Sequence, residues 1–218
     1  MTTADDTPYE IRIAAREDAG ALKALDGSFT TTTVFHVETS ENGFALRESL
    51  IEPPLTKVFP EDDQGDSDGD DERGRVDQNS RTFLALGADG SLAGFVSVAY
   101  APWNRRLTIE DIEVAPEHRG RGVGRALVGR AEGFARERGA GHIWLEVTNV
   151  NVPAVRAYRR MGFVLCGLDT SLYEFTASAG EYALYMRKPC RPHRPALTPS
   201  PTETPLTAAH RSAESSTS

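Results

Sequence analysis

The chain is poor in cysteine, in long apolar runs and in positive charge, and each shortage excludes a class of protein. Its 218 residues include two cysteines, Cys166 and Cys190, with no other metal ligands beside them. Two such thiols build neither a disulfide framework nor a zinc site, and they suit reduced thiols in a cytoplasmic protein. No apolar stretch approaches the ~20 residues of a membrane span, so no membrane partner is expected. The first ten residues, MTTADDTPYE, are acidic and lack the apolar centre of a secretion signal. Net charge is −8, so a sequence-independent nucleic-acid binder is excluded for want of a basic footprint. An acidic surface suits solubility and a small cationic partner equally well.

Hydrophobic residues make up 39% and charged residues 26% of the chain, slightly lean for a globular protein. Two polar segments account for this. The stretch 61–80 (EDDQGDSDGDDERGRVDQNS) is strongly acidic, and 189–218 is rich in Pro, Ser and Thr. Neither carries enough apolar surface to offset chain entropy, so both are expected to be disordered, as are residues 1–8. Asp66, Asp68 and Asp70 imitate a calcium loop, but its sixth position is Asp71 rather than glycine and its twelfth is Asp77 rather than glutamate. No metal is expected. One α/β (α+β) domain over 9–188 remains.

Alternation in Tyr9 to Ala15 predicts a first strand, and Ala19, Leu22 and Leu25 predict a helix that Gly27 ends. Residues 28–60 suit extended structure, but Glu52-Pro53-Pro54 and Phe59-Pro60 interrupt it. An irregular segment able to reach over a pocket is expected there. Arg81 to Gly87 and Leu92 to Ala101, joined through Asp89-Gly90, predict a hairpin. A strand follows at Leu107 to Val114. A helix from Gly122 to Gly139 carries Val123, Leu127, Ala131 and Phe134 on one face, with Glu132 four residues before Arg136. Next come a strand at His142 to Thr148, a helix capped by Asn151 with Pro153 in its first turn, and strands from Phe163 and Tyr182.

The sharpest chemistry lies in Arg119-Gly120-Arg121-Gly122-Val123-Gly124, between a strand and a helix N-terminus. Free helix amides and the helix dipole favour an anion there, and glycines let it approach closely. A dinucleotide loop needs a third glycine where this chain has Arg125 or Leu127, and a nucleotide P-loop needs Gly-Lys-Ser/Thr. Both fail. The pattern R-x-x-G-x-G, preceded by the strand I-E-D-I-E-V and followed by Asn151, Ala154 and Tyr158, resembles the GNAT acyl-CoA-dependent N-acetyltransferases.

Further segments narrow the likeness. Leu25 to Phe29, Pro53 to Pro60, Glu146 to Asn151 and Cys166 to Tyr173 resemble the streptothricin (nourseothricin) acetyltransferases over about Tyr9 to Cys190. The resemblance implies a mixed, mostly antiparallel sheet splayed between its fourth and fifth strands and flanked by helices. It implies acetyl-CoA as co-substrate and no metal. Backbone groups of Ile112 and Val114 would hold the pantetheine arm. The amides from Arg119 through Gly120, Arg121, Gly122, Val123, Gly124 and Arg125 to Ala126 would hold the pyrophosphate. Asn151 would stand near the arm or serve as a plain helix cap. Many relatives form homodimers.

Tyr158 shares a helix face with Ala154 and is the residue expected to protonate the departing thiolate, with a core tyrosine as the bland reading. The acceptor amine arrives protonated, so a base is needed. Glu110, two residues before Ile112, is expected to act through water or to attract the ammonium group. A bulge would exchange its role with Asp111 or Glu113. Asp26, Glu38, Trp103 and Glu146 are expected around the cation, Trp103 offering a π-face. Cys166 is expected to be a buried core thiol, leaving direct attack in a ternary complex. The implied reaction is acetylation of the β-lysyl amine of streptothricin. Another small amine or peptide as acceptor, and a catalytically inactive acetyl-CoA-binding module, are the alternatives.

Overall fold

A computed structural model of the chain describes residues 9–58 and 78–190. The expectations for 1–8, for most of the acidic segment and for the tail beyond Cys190 lie outside them. Strands β1 (Glu10–Ile13), β4 (Ser80–Leu86), β5 (Leu92–Ala101), β6 (Arg106–Val114), β7 (His142–Thr148), β8 (Val164–Asp169) and β9 (Ala183–Pro189) form one sheet. Their order is β1-β4-β5-β6-β7-β9-β8. Every pairing is antiparallel except β6 with β7, so the sheet is mixed and mostly antiparallel, and its fourth and fifth members are the parallel pair.

The local reasons for these elements are short-range. Gly90 supplies the positive φ of the β4–β5 turn, and Asp89 Oδ1 accepts from Ser91 N at 3.0 Å. Helix α2 (Val123–Glu137) buries Val123, Leu127, Ala131 and Phe134 against β4, β5 and β6. Helix α3 (Val152–Arg160) starts where Asn151 Oδ1 accepts from Ala154 N at 3.1 Å, as its capping side chain requires. Among the described residues no helix is long and apolar enough to cross a membrane.

Two expectations need correction. The first helix is a 3-10 turn (Arg16–Asp18) running into α1 (Ala19–Lys23), so Gly27 does not end it. Instead, a Cβ on Gly27 would fall 2.7 Å from the Glu113 carboxyl carbon; the glycine is there for close approach. The segment expected to be irregular is a long antiparallel hairpin of β2 (Phe29–Ser40) and β3 (Gly43–Lys57). Its prolines fall in the break between Thr31↔Leu55 and Thr33↔Leu50, where residues without an N–H cost no ladder bond.

This hairpin docks on the main sheet through a buried polar side chain. Asn149 Nδ2 donates to Phe35 O at 2.7 Å, and Tyr182 N donates to Asn149 Oδ1 at 2.8 Å. Phe35 N returns a bond to Asn149 O at 3.0 Å. Both ends of the amide are satisfied, which is the condition for burying it.

Candidate functional site

The parallel ladder between β6 and β7 runs from Arg106↔His142 to Ile109↔Leu145 and stops. Beyond it the two strands diverge, and a cavity of about 720 Å³ opens between them. Its walls include Glu110 to Val114 from β6, Glu146 to Thr148 from β7, Asn151, Ala154 and Tyr158 around α3, and Phe29 and Thr30 from the docked hairpin. The expected splay and the expected reach over a pocket are both present.

One end of the cavity is the arginine–glycine loop. Gly120 and Gly122 have φ of 73° and 91°, a region that L side chains rarely adopt. No atom stands within 4 Å of a Cβ built on either, so the space before them is open. The amides of Val123, Gly124 and Arg125 have no intrahelical acceptor because they begin α2. Across the sheet, a Cβ at Gly94 would fall 2.5 Å from Glu113 O and 3.3 Å from Val123 Cγ1. Absence of a side chain there lets the loop and α2 settle onto the ends of β5 and β6.

The expected cradle of amides narrows at both ends. Arg119 N donates to Pro116 O at 3.2 Å, and Ala126 N to Gly122 O at 3.0 Å. Their donors are already used, which leaves Gly120 to Arg125. The Arg119 guanidinium also turns back, donating to Val114 O at 2.9 Å and Asp26 O at 3.4 Å. It braces the loop. Arg125 lines the cavity, whereas Arg121 and Ala126 are not among its lining residues.

At the other end stand the ionisable groups. The β5–β6 register slips between Ser97↔Asp111 and Val98↔Ile109, making Glu110 the extra residue of a β-bulge. The exchange of roles foreseen for a bulge therefore has its structural basis. Both Glu110 and Asp111 line the cavity. The Tyr158 phenol is buried, and burial raises its pKa well above the ordinary value, with the charges of Asp111 and Glu146 adding to the effect. It stays protonated at any working pH.

Glu146 lines the cavity and accepts a hydrogen bond from Tyr173 Oη. Burial lifts its carboxyl above the usual range, the Tyr173 bond opposes this, and the charge of Glu181 adds to the rise. Glu181 is itself held by Lys57 and by Thr148 Oγ1 at 2.6 Å.

Two residues expected around the substrate lie elsewhere, and a third, Asp26, stands beside the cavity wall without lining it. Trp103, 86% exposed, occupies the β5–β6 turn at the far end of β6 from the loop. Glu38 pairs with Arg47 at 2.8 Å on the hairpin. Asp26 Oδ1 accepts from Ser28 N at 2.8 Å beside the lining residue Gly27. The expected buried thiol is also corrected: Cys166 is exposed, because alternation along β8 puts it on the same outward face as the exposed Val164. Sequence reasoning missed Tyr173. Its segment carries no periodicity that distinguishes an inward phenol from an exposed one. Among the described residues no cluster of three or more His, Cys, Asp or Glu side chains could hold a metal.

With this geometry in place, similarity to known proteins becomes informative. The family model described as Acetyltransferase (GNAT) family matches residues 45–163. A streptothricin acetyltransferase of Streptomyces lavendulae is 63% identical over 190 residues, covering 87% of this chain and all of the relative. A crystal structure of nourseothricin acetyltransferase superposes with a TM-score of 0.77 at 63% identity, over 85% of this chain and all of that one. A Bacillus anthracis structure in complex with acetyl coenzyme A superposes at 0.67 with 25% identity, over 83% of this chain and 98% of that one. A glycine cradle at a helix N-terminus, a parallel pair that splays and a buried tyrosine between carboxylates thus meet a family match over more than half of the chain, and the protein belongs to the GNAT family of acetyltransferases.

Proposed function

We propose that the protein transfers the acetyl group of acetyl-CoA to an amine of a streptothricin-class antibiotic, the β-lysyl amine, and thereby inactivates it. The observation that carries the reaction is the continuous cavity from the glycine cradle to Tyr158. The acceptor rests on the name of the 63% identical relative and on the carboxylates Glu110, Asp111 and Glu146, which suit a cation.

The residues fit acetyl-CoA, which supplies an activated acetyl thioester. Amides of Gly120 to Arg125 would hold its pyrophosphate in the open space before Gly120 and Gly122. Ile112 and Val114 present the strand edge that β7 leaves unladdered, suited to an amide-bearing arm. Asn151 is committed to its helix cap and would help shape the wall. Tyr158 would hold a proton for the leaving sulfur. Glu110, exposed at the bulge, would draw the ammonium group inward. Cys166 does not line the cavity, which supports direct transfer without a covalent enzyme intermediate. Acetyl-CoA as donor suits a cytoplasmic setting.

A thiol-release assay with acetyl-CoA and a panel of amines tests the reading. Streptothricin is expected to give the highest kcat/KM, above polyamines, aminoglycosides and N-terminal peptides. Turnover of a peptide and none of streptothricin would sink the proposed substrate. No thiol release with any amine would favour a binding module.

A further inference from the structure

We propose that Glu146, oriented by Tyr173, accepts the proton of the incoming ammonium group, so that the β8–β9 loop is part of the catalytic site. This rests on the acetyl-transfer reading above and names a catalytic group within it.

The first support is position. Ile109↔Leu145 is the last β6–β7 pair, so Glu146 is the first β7 residue at the opening of the splay. An acid and a base serving one transfer must stand near the same few atoms. Glu146 meets this condition, because it and Tyr158 line the same cavity. The second support is orientation. Tyr173 Oη holds Oε1, while the side chain lines the cavity and keeps its other oxygen for the amine.

The loop carrying Tyr173 is anchored well enough to position it. Asp169 Oδ1 accepts from Ser171 N at 2.8 Å and from Leu172 N at 3.0 Å. Further along, Lys57 Nζ donates to Ser178 Oγ at 2.7 Å and pairs with Glu181. The titratable groups facing Glu146 are Tyr173 and Glu181 from this loop, Tyr158 from α3 and Tyr185 from β9. Burial, with Glu181, raises the Glu146 carboxyl toward working pH, which makes it a better proton acceptor than an ordinary carboxylate.

The proton count closes. Glu146 takes one proton from R–NH3+, and the freed lone pair forms the C–N bond as the C–S bond breaks. Tyr158 gives its proton to sulfur and recovers the second proton of the nitrogen. The products are amide and thiol, and Glu146 releases one proton to water.

The test is kcat against pH for the wild type, Glu146→Gln, Tyr173→Phe and Glu110→Gln, with acetyl-CoA affinity measured by calorimetry. Glu146→Gln is expected to lower kcat about 100-fold and to abolish the acid-side limb while acetyl-CoA affinity is kept. Tyr173→Phe is expected to move that limb to higher pH, lowering kcat at pH 6 by about threefold, the worth of one modest hydrogen bond. Glu110→Gln, which removes a carboxylate that attracts the ammonium group, is expected to raise the KM of the amine and to keep the limb. Glu146→Gln within threefold of wild type, a Tyr173→Phe limb that does not move, or a limb lost in Glu110→Gln alone would each overturn the inference. If Glu146→Gln does not fold, the Tyr173→Phe limb decides. A wild type that releases no thiol with any amine would instead overturn the transferase reading itself.

Discussion

The two halves of the β6–β7 pair are made from the same strands and do opposite work. In the paired half, Leu107, Ile109, Ile143 and Leu145 are buried in the core. In the splayed half, Glu110, Asp111, Glu113 and Glu146 line a cavity. Pairing satisfies the backbone, so the alternate side chains that turn inward there are apolar and packed. Its loss exposes strand edges and lets charged groups remain hydrated. A ladder interrupted after four residue pairs is therefore enough to convert scaffold into site.

Mutations can break the contrast, and the largest effect is expected in the paired half. Leu107→Ala, at a fully buried position, should lower unfolding free energy by about 3 kcal/mol, with kcat of the folded fraction retained. Denaturant titration beside a single-concentration assay reads both. In the splayed half, Tyr158→Phe should reverse the pattern, with kcat falling about 100-fold, or ~2.7 kcal/mol, and little change in melting temperature. Unchanged turnover would remove Tyr158 as the proton donor.

Gly122→Ala comes next. Its φ of 91° strains any L side chain by about 1 kcal/mol, although no atom blocks the Cβ. Acetyl-CoA affinity should weaken about fivefold by calorimetry, and an unchanged Kd would argue against the cradle. The smallest effect concerns pH. Because burial raises the Glu146 carboxyl above its unfolded value, its ionisation costs stability at neutral and higher pH. Glu146→Gln should raise the melting temperature at pH 8 by about 2 °C. That gain should vanish as pH falls below about 4.3, the unfolded glutamate value. A gain that persists there would mean repacking rather than relief of a buried charge.

Elements with short-range causes were legible in the sequence. The Asp89-Gly90 turn, the Asn151 cap and the apolar face of α2 each depend on residues within a few positions of one another. The β2–β3 hairpin was not legible, because its prolines looked like breaks until the partner strand placed them in a bulge. Tyr173 was invisible for a similar reason: its partner Glu146 lies 27 positions away. Glu110 was left ambiguous because a one-residue register slip redirects side chains, and Cys166 was misread because a strand as short as β8 does not declare which face is inward.

By itself, then, the sequence determined the arginine–glycine loop between a strand and a helix, the order of elements from β4 onward and the placement of Tyr158 on the helix after β7. These follow from spacing along one continuous backbone. Only the tertiary structure decided which carboxylates face that tyrosine, which loop amides remain available and what the Arg119 side chain holds. Those depend on where a parallel ladder between distant strands stops and where a bulge falls, and no local propensity encodes either.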